Sequence, residues 1–228
     1  MGNLLDCSVA VPLPSTDPPS DPPEADGPPA LIVAGPSGVG KGTLIAMLMK
    51  AYPDAFAFSV SHTSRPPRKG EKDGVNYNFS DVPTMKQMIE RGEFIEHAEV
   101  CGKYYGMSFE SVEAVRLSGK ICLLDIDLHG CRMCRAAGLR GKYLFLLAPS
   151  MEELERRLRG RGTEDTATLQ RCLASAASEI DALEETGLFD HSVVNDNVEA
   201  CYKQIVGLLQ PTIDSLAASS AEHISSSS

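Results

Sequence analysis

The chain has 228 residues, 43% of them hydrophobic and 23% charged, with a formal net charge of −10; that is enough length to bury the core of one globular domain. The acidic balance excludes a duplex nucleic-acid binder, which needs a basic surface, and no apolar run approaches the ~20 residues of a membrane-spanning helix. Asp6, Asp17, Asp21, Glu24, Asp26, Asp214 and Glu222 lie toward the two ends, so the middle of the chain is close to neutral and can concentrate its cations locally.

Residues 1–29 hold no Lys or Arg, the reverse of a transit peptide, and Asp6 stands where a myristoylation signal would have Ser or Thr. Eight of the fifteen prolines fall in residues 11–29, which predicts a disordered arm that buries too little apolar surface to offset its ordering entropy. With no secretory apolar segment and seven scattered cysteines, reduced thiols in a soluble cytoplasmic protein are expected. Cys131 and Cys134 have redox or zinc spacing, but no second Cys or His pair completes a metal site, so they read as helix-borne thiols and no protein-held metal is expected.

From residue 30 onward, apolar runs and helical patterns alternate. Ala30–Ala34 reads as a buried strand, followed by a glycine-rich turn and a helix from Lys41 to about Ala51. Residues 59–109 carry short β-type runs, at Phe56–Ser59 and Tyr77–Phe79, and a small helix around Pro83–Glu90. A helix over Phe109–Ser118 leads to the strand Ile121–Ile126, and Tyr143–Leu147 is a further strand. A helix over Ser150–Arg159 opens with a Ser-x-x-Glu capping box, Ser150 to Glu153. Leu169–Leu183 reads as helix, Ser192–Val194 as a short strand, and Asn197–Leu209 as a closing helix before a Ser-rich flexible tail over 211–228. This alternation predicts an α/β fold: a parallel sheet with helices on both faces and a β-rich insertion beside the ligand.

Gly35-Pro36-Ser37-Gly38-Val39-Gly40-Lys41-Gly42-Thr43 follows a strand and opens a helix, the context a phosphate-binding loop requires. Glycines let backbone N–H groups close around phosphates, the helix N-terminus adds positive dipole, and Lys41 reaches the terminal phosphates. Gly42 separates Lys41 from the hydroxyl of Thr43, where the strict pattern has them adjacent. Downstream, Ser59–Gly70 gathers hydroxyls and cations in a proline-stiffened loop, where Arg65 and Arg68 could grip an anion with Tyr77 as a further hydroxyl. Glu96, among apolar neighbours, could accept from the N–H groups of a base. Asp125 and Asp127 end a central strand, where open α/β sheets place ligands; a period of two sets them on one face.

In this order, GPSGVGKGT, SHTSRPPR, GVNYNF, FIEHA, YYG, LDID, RGTE and VND resemble the guanylate kinase family, nucleoside monophosphate kinases that phosphorylate GMP from ATP, over about Leu31 to Leu209. The wording of the loop and the order of elements after the lid look most like plant and protist members. The resemblance implies a P-loop core over 30–210, a GMP-binding insertion near 60–110 and a helical lid near 155–175. ATP with Mg²⁺ would be the donor, held by Gly35, Ser37, Gly38, Val39, Gly40, Lys41, Gly42 and Thr43. Ser61, Arg65, Arg68, Tyr77 and Tyr105 would hold the GMP phosphate and Glu96 would read guanine, with Asp125 and Asp127 bordering the base and the magnesium-bound phosphates. Lys41, Arg68, Arg157 and Arg161 would carry the transfer, Arg161 approaching the moving phosphoryl group. Expected partners are GMP or dGMP and ATP alone, with no nucleic acid and no membrane, and the chain is expected to be monomeric.

Two positions depart from the pattern. Met107 follows Tyr-Gly where the family has Ser or Thr, and a thioether is a weak acceptor for guanine. Eleven residues beyond Arg161 stands Cys172, where the family spacing requires an arginine; Arg171 precedes it, about 100° away around a helix. Reduced activity is the expectation. The alternatives are a kinase whose acceptor has drifted and a catalytically weak or inactive nucleotide-binding or protein-interaction module.

Overall fold

The computed structural model describes residues 27–100, 102–160, 166–181, 183 and 187–225, the side chains of 167 and 219–225 excepted. Ala30–Ala34 (β1) is the middle strand of a five-stranded parallel sheet in the order β2-β7-β1-β8-β9, with β2 at Phe56–Phe58, β7 at Ile121–Asp125, β8 at Gly141–Leu147 and β9 at His191–Val194. All five residues of β1 are buried, and they divide by parity. Leu31 and Val33 face a cluster with Leu44 and Leu48 of α1 (Lys41–Ala51) and Ile205 and Leu209 of α7 (Val198–Ser225). Ala30, Ile32 and Ala34 face Val112 of α3 (Phe109–Leu117) and Cys131 and Cys134 of α4 (Leu128–Ala136). Helices on both faces are why the central strands read as unbroken apolar runs rather than alternating ones.

Between β2 and α3 the chain builds a second sheet, order β4-β3-β6-β5, from His62–Thr63 (β3), Asn78–Phe79 (β4), Phe94–Val100 (β5) and Lys103–Ser108 (β6), with α2 (Val82–Glu90) packed beside it. The β5–β6 ladder slips between Phe94, opposite Ser108, and Glu96, opposite Met107. This bulge puts both Phe94 and Ile95 in the interior and re-aims the residues that follow. Two further helices, α5 (Met151–Gly160) and α6 (Thr166–Asp181), pack together through Leu154, Leu158, Leu169 and Ala176.

Three expectations change. Residues 27–29, assigned to the arm, are docked: Pro28 is buried and its carbonyl accepts from Arg116 Nε at 2.8 Å. Residues 211–225, read as a flexible tail, continue α7 through Pro211. Proline removes one N–H bond there, and the burial of Ile213 with Leu216 against the core extends the apolar stripe of Ile205 and Leu209 and offsets that loss. Finally, β7 stops at Asp125, so Asp127 is not on its face: it caps α4, its Oδ1 accepting from Gly130 N at 2.8 Å. Residues 1–26 of the disordered arm expected over 1–29 lie outside the described residues. No helix among the described residues is long and apolar enough to cross a membrane.

Candidate active site

The loop from Gly35 to Gly40 joins the carboxyl end of β1 to α1. Gly35 lies at φ 136°, and a Cβ there would sit 2.3 Å from the carbonyl oxygen of Leu146, so only glycine lets the chain leave the sheet at this point. Side-chain oxygens cap the first turns of α2 (Asp81), α3 (Ser108), α4 (Asp127), α5 (Ser150) and α7 (Asn197). The first turn of α1 begins at Gly40 and has no side-chain cap. Its N–H groups and the end of the helix dipole are left for an anion. Lys41 Nζ folds back on the loop, 2.6 Å from Gly35 O and 3.4 Å from Pro36 O. It also lies 3.8 Å from Asp125 Oδ1, because Asp125 pairs with Val33 in the sheet register, one residue before the end of β1. Val39 is buried, whereas Ser37, Gly42 and Thr43 are exposed at the mouth.

A cavity of about 450 Å³ lies on the insertion sheet, lined by Ser61, Tyr77, Glu96, His97, Tyr105, Met107 and Asp127 among others. Five of the eight acceptor-side residues expected from the sequence therefore meet at one cavity, with Met107 at its wall. Burial first, then the charges of Asp127 and Asp125, raise the carboxyl of Glu96 above its usual range. Arg65 forms a two-pronged ion pair with Glu71, both contacts 2.9 Å, and its guanidinium lies over the Tyr77 ring at 5.4 Å. The Tyr77 and Tyr105 rings meet edge-on at 6.1 Å. Glu71 also accepts from the backbone N–H of Arg68 at 2.6 Å and is held below the usual carboxylate range, chiefly by Arg65. The side chain of Arg68 is exposed. A larger cleft of about 770 Å³ on the other side of this sheet, lined by His62, Asn78 and Glu110 among others, contains none of the expected site residues.

On α5, Arg157 is engaged: its Nε lies 2.7 Å from Glu153 Oε1 and its Nη2 donates to Asn195 O at 2.9 Å. Arg156 joins the same carboxylate, and together the two arginines lower Glu153 to about 2. Half of the expected capping box is made, the Glu153 N–H donating to Ser150 Oγ at 3.2 Å, while the Glu153 side chain serves the arginines. Arg161 lies outside the described residues. Cys172 is half-buried against the α5–α6 cluster, and Arg171 turns outward, its Nη2 donating to Thr168 Oγ1 at 2.9 Å. Cys131 and Cys134 are buried on α4, and burial pushes both thiols up to about 12, which makes them packing groups rather than nucleophiles.

Two contributors escaped residue-level reading. Glu71, which orients Arg65, was legible only as one more charge in a charged loop. Asn195 appeared only within the VND motif, yet its Nδ2 donates to Val39 O in the phosphate loop at 2.8 Å.

The guanylate kinase family model matches residues 28–212. Guanylate kinase 1 of Oryza sativa subsp. japonica is 50% identical over 184 residues, covering 81% of this chain and 48% of that protein. Guanylate kinase 1 of Arabidopsis thaliana is 52% identical over 179 residues, 78% of this chain and 46% of that one. The chain thus spans about half the length of these plant relatives. Guanylate kinase of Homo sapiens is 42% identical over 187 residues, covering 82% of this chain and 95% of the human one. The crystal structure of guanylate kinase from Anaplasma phagocytophilum aligns at TM-score 0.50 and 30% identity, covering 82% of this chain and 86% of that one. With its uncapped P-loop helix, its parallel core and its β-rich insertion, this chain belongs to the guanylate kinase family.

Proposed function

We propose that the chain transfers the γ-phosphoryl group of ATP to GMP or dGMP. The observation that carries this reading is the placement of an uncapped helix N-terminus with Lys41 at one crevice and the Ser61–Tyr77–Glu96–Tyr105 cavity on the neighbouring insertion. Two anionic substrates need cations on both sides; in this reading Lys41 with the loop serves the donor and Arg65 and Arg68 serve the acceptor phosphate. Glu96, with Asp127 beside it, offers acceptors to the N1–H and N2–H₂ donors of guanine. The chemistry requires no general base; alignment and charge neutralisation lower the barrier.

Mg²⁺ fits the donors at the mouth of the loop. It prefers oxygen ligands, keeps several waters and arrives with the phosphates of ATP; Asp125 and Thr43 present oxygens there, and no cluster of three or more metal-binding side chains among the described residues competes for it. When bound, it neutralises charge between the phosphates. The chain's own residues do the rest: Lys41 leaves the Gly35 carbonyl for a phosphate oxygen, and Arg157 and Arg161 are assigned to the transferring phosphoryl group by the family resemblance. Cys172 in place of an arginine, with Arg171 facing away, and Met107 at the base cavity support a slower enzyme than its relatives. This reading keeps the protein monomeric and cytoplasmic, with no nucleic-acid or membrane partner.

ADP formation measured with ATP·Mg²⁺ and each of GMP, dGMP, AMP and UMP tests the proposal. Turnover that depends on GMP and falls by about 10²–10³ in Lys41→Ala is expected; equal turnover with all acceptors, or none with GMP, overturns it. The intact loop with Lys41 supports transfer over the interaction-module alternative.

A further inference from the structure

Asn195 stands just beyond the carboxyl end of β9 and is 5% exposed. Its backbone is held on both sides, the N–H donating to Leu147 O at 2.8 Å and the carbonyl accepting from Arg157 Nη2 at 2.9 Å. The side chain therefore has a fixed aim, and it ends on the carbonyl of Val39 at 2.8 Å, 156 residues earlier in the chain. A carbonyl only accepts, so it is the amide nitrogen of Asn195 that faces it. Gly40 completes the fit: its φ is 104°, and a Cβ there would lie 2.5 Å from Asn195 Nδ2. Any other residue at position 40 would push the amide off.

In a trans peptide the C=O and the following N–H point to opposite sides. Holding the Val39 carbonyl toward Asn195 turns the Gly40 N–H away from it. We propose that Asn195 is a positioning residue for phosphoryl transfer: it sets the Val39–Gly40 peptide plane so that the Gly40 N–H faces the phosphates of the donor nucleotide. This inference rests on the reading of the loop as an ATP site. Arg157 and Glu153 buttress Asn195 from α5, so the peptide plane is tied to the lid helix.

The test uses Asn195→Asp, which keeps the shape but sets a carboxylate against a carbonyl, and Asn195→Ala, which only deletes the donor. Kinetics with ATP·Mg²⁺ and GMP are read alongside the ¹⁵N–¹H signal of the Gly40 amide in labelled full-length protein titrated with ATP. In the unaltered protein the Gly40 amide shifts on adding ATP. In both variants KM for ATP rises about tenfold, the scale of one hydrogen bond, with the aspartate worse than the alanine, while KM for GMP stays within twofold and the Gly40 response is lost. Unchanged ATP kinetics with an unchanged Gly40 response overturn the proposal. So do equal losses toward both substrates, or failure of both variants to fold, since each marks a purely structural role. Should the unaltered protein form no ADP with GMP, the transferase reading fails by itself, and the Gly40 response to ATP still decides the role of Asn195.

Discussion

The ammonium of Lys41 sits 2.6 Å from the carbonyl oxygen of Gly35, the first residue of the loop that Lys41 closes. The cation is held by its own backbone, with Asp125 Oδ1 at 3.8 Å as its counter-charge. In the proposed reaction these contacts give way to phosphate oxygens, so the side chain is expected to act in transfer far more than in folding. Lys41→Ala is expected to lower kcat by about 10²–10³, the scale of losing one oriented donor at a developing negative charge, while the unfolding midpoint moves by a few degrees at most. Steady-state kinetics and a thermal melt on the same sample check both halves.

Glu96 sits in a setting that raises its proton affinity, through burial first and then Asp127 and Asp125. Its folded value exceeds its unfolded one, so the native state binds more protons between the two and stability falls as pH rises through that interval. Glu96→Gln is therefore expected to raise the melting temperature at pH 7. In the proposed reaction the same substitution removes the acceptor for guanine, so kcat/KM for GMP is expected to fall by at least tenfold while KM for ATP holds. In the unaltered protein kcat/KM for GMP declines toward acid with an inflection above the usual carboxylate range. A Glu96→Gln profile that keeps the inflection would assign it to another group.

Glu71 holds both the Arg65 guanidinium and the Arg68 backbone, and being held below the usual carboxylate range it keeps this pairing well into the acid range. Glu71→Ala releases the Arg65 guanidinium, which the proposed function assigns to the acceptor phosphate. KM for GMP is expected to rise about tenfold, with KM for ATP unchanged, because the loss is in pre-organisation of one subsite. Glu71→Asp, one methylene shorter, should fall between. Equal effects on both substrates would refute the assignment.

Cys172 lies against Leu154, Leu158, Leu169 and Ala176 with part of its surface in solvent. An arginine there can lay its stem along these side chains, and the family resemblance implies an arginine of the transfer site at this position. Since an arginine that stabilises transferring charge is worth roughly 10³–10⁵ in rate, Cys172→Arg is expected to raise kcat by tenfold or more, and Arg171→Ala to change it little. Single-turnover rates separate this from an effect on product release. Parity between Cys172→Arg and the unaltered protein would show that the cysteine costs nothing.

The legible parts of this molecule are those whose signal repeats along the chain or is confined to a few residues. Ala30–Ala34, Ile121–Ile126 and Tyr143–Leu147 read as apolar runs because both faces of the sheet are covered, and the glycine-rich loop reads as phosphate-binding because strand, glycines, lysine and helix are contiguous. Ser61, Tyr77, Glu96 and Tyr105 were identified through motif resemblance, and they do line one cavity. The bulge that re-aims Glu96 was not visible, since Phe94 and Ile95 are simply two apolar neighbours until β6 is laid beside them. Nor was the anchoring of Pro28 by Arg116, 88 residues apart, or the continuation of α7 past Pro211, where the local helix penalty is met by contacts of Ile213 with a distant core.

What the sequence by itself determined is therefore the α/β alternation, the location of the phosphate loop and the family, because backbone periodicity and contiguous motifs are local properties of the chain. What only the tertiary structure decided is how single side chains meet: Arg157 on Glu153 and Asn195 rather than standing free, Asp127 spent in part on a helix cap, and Asn195 on the carbonyl of Val39. One hydrogen bond between residues 156 positions apart leaves no period and no neighbouring signature. It exists only because β1, β8 and β9 lie side by side and bring their carboxyl ends to one crevice.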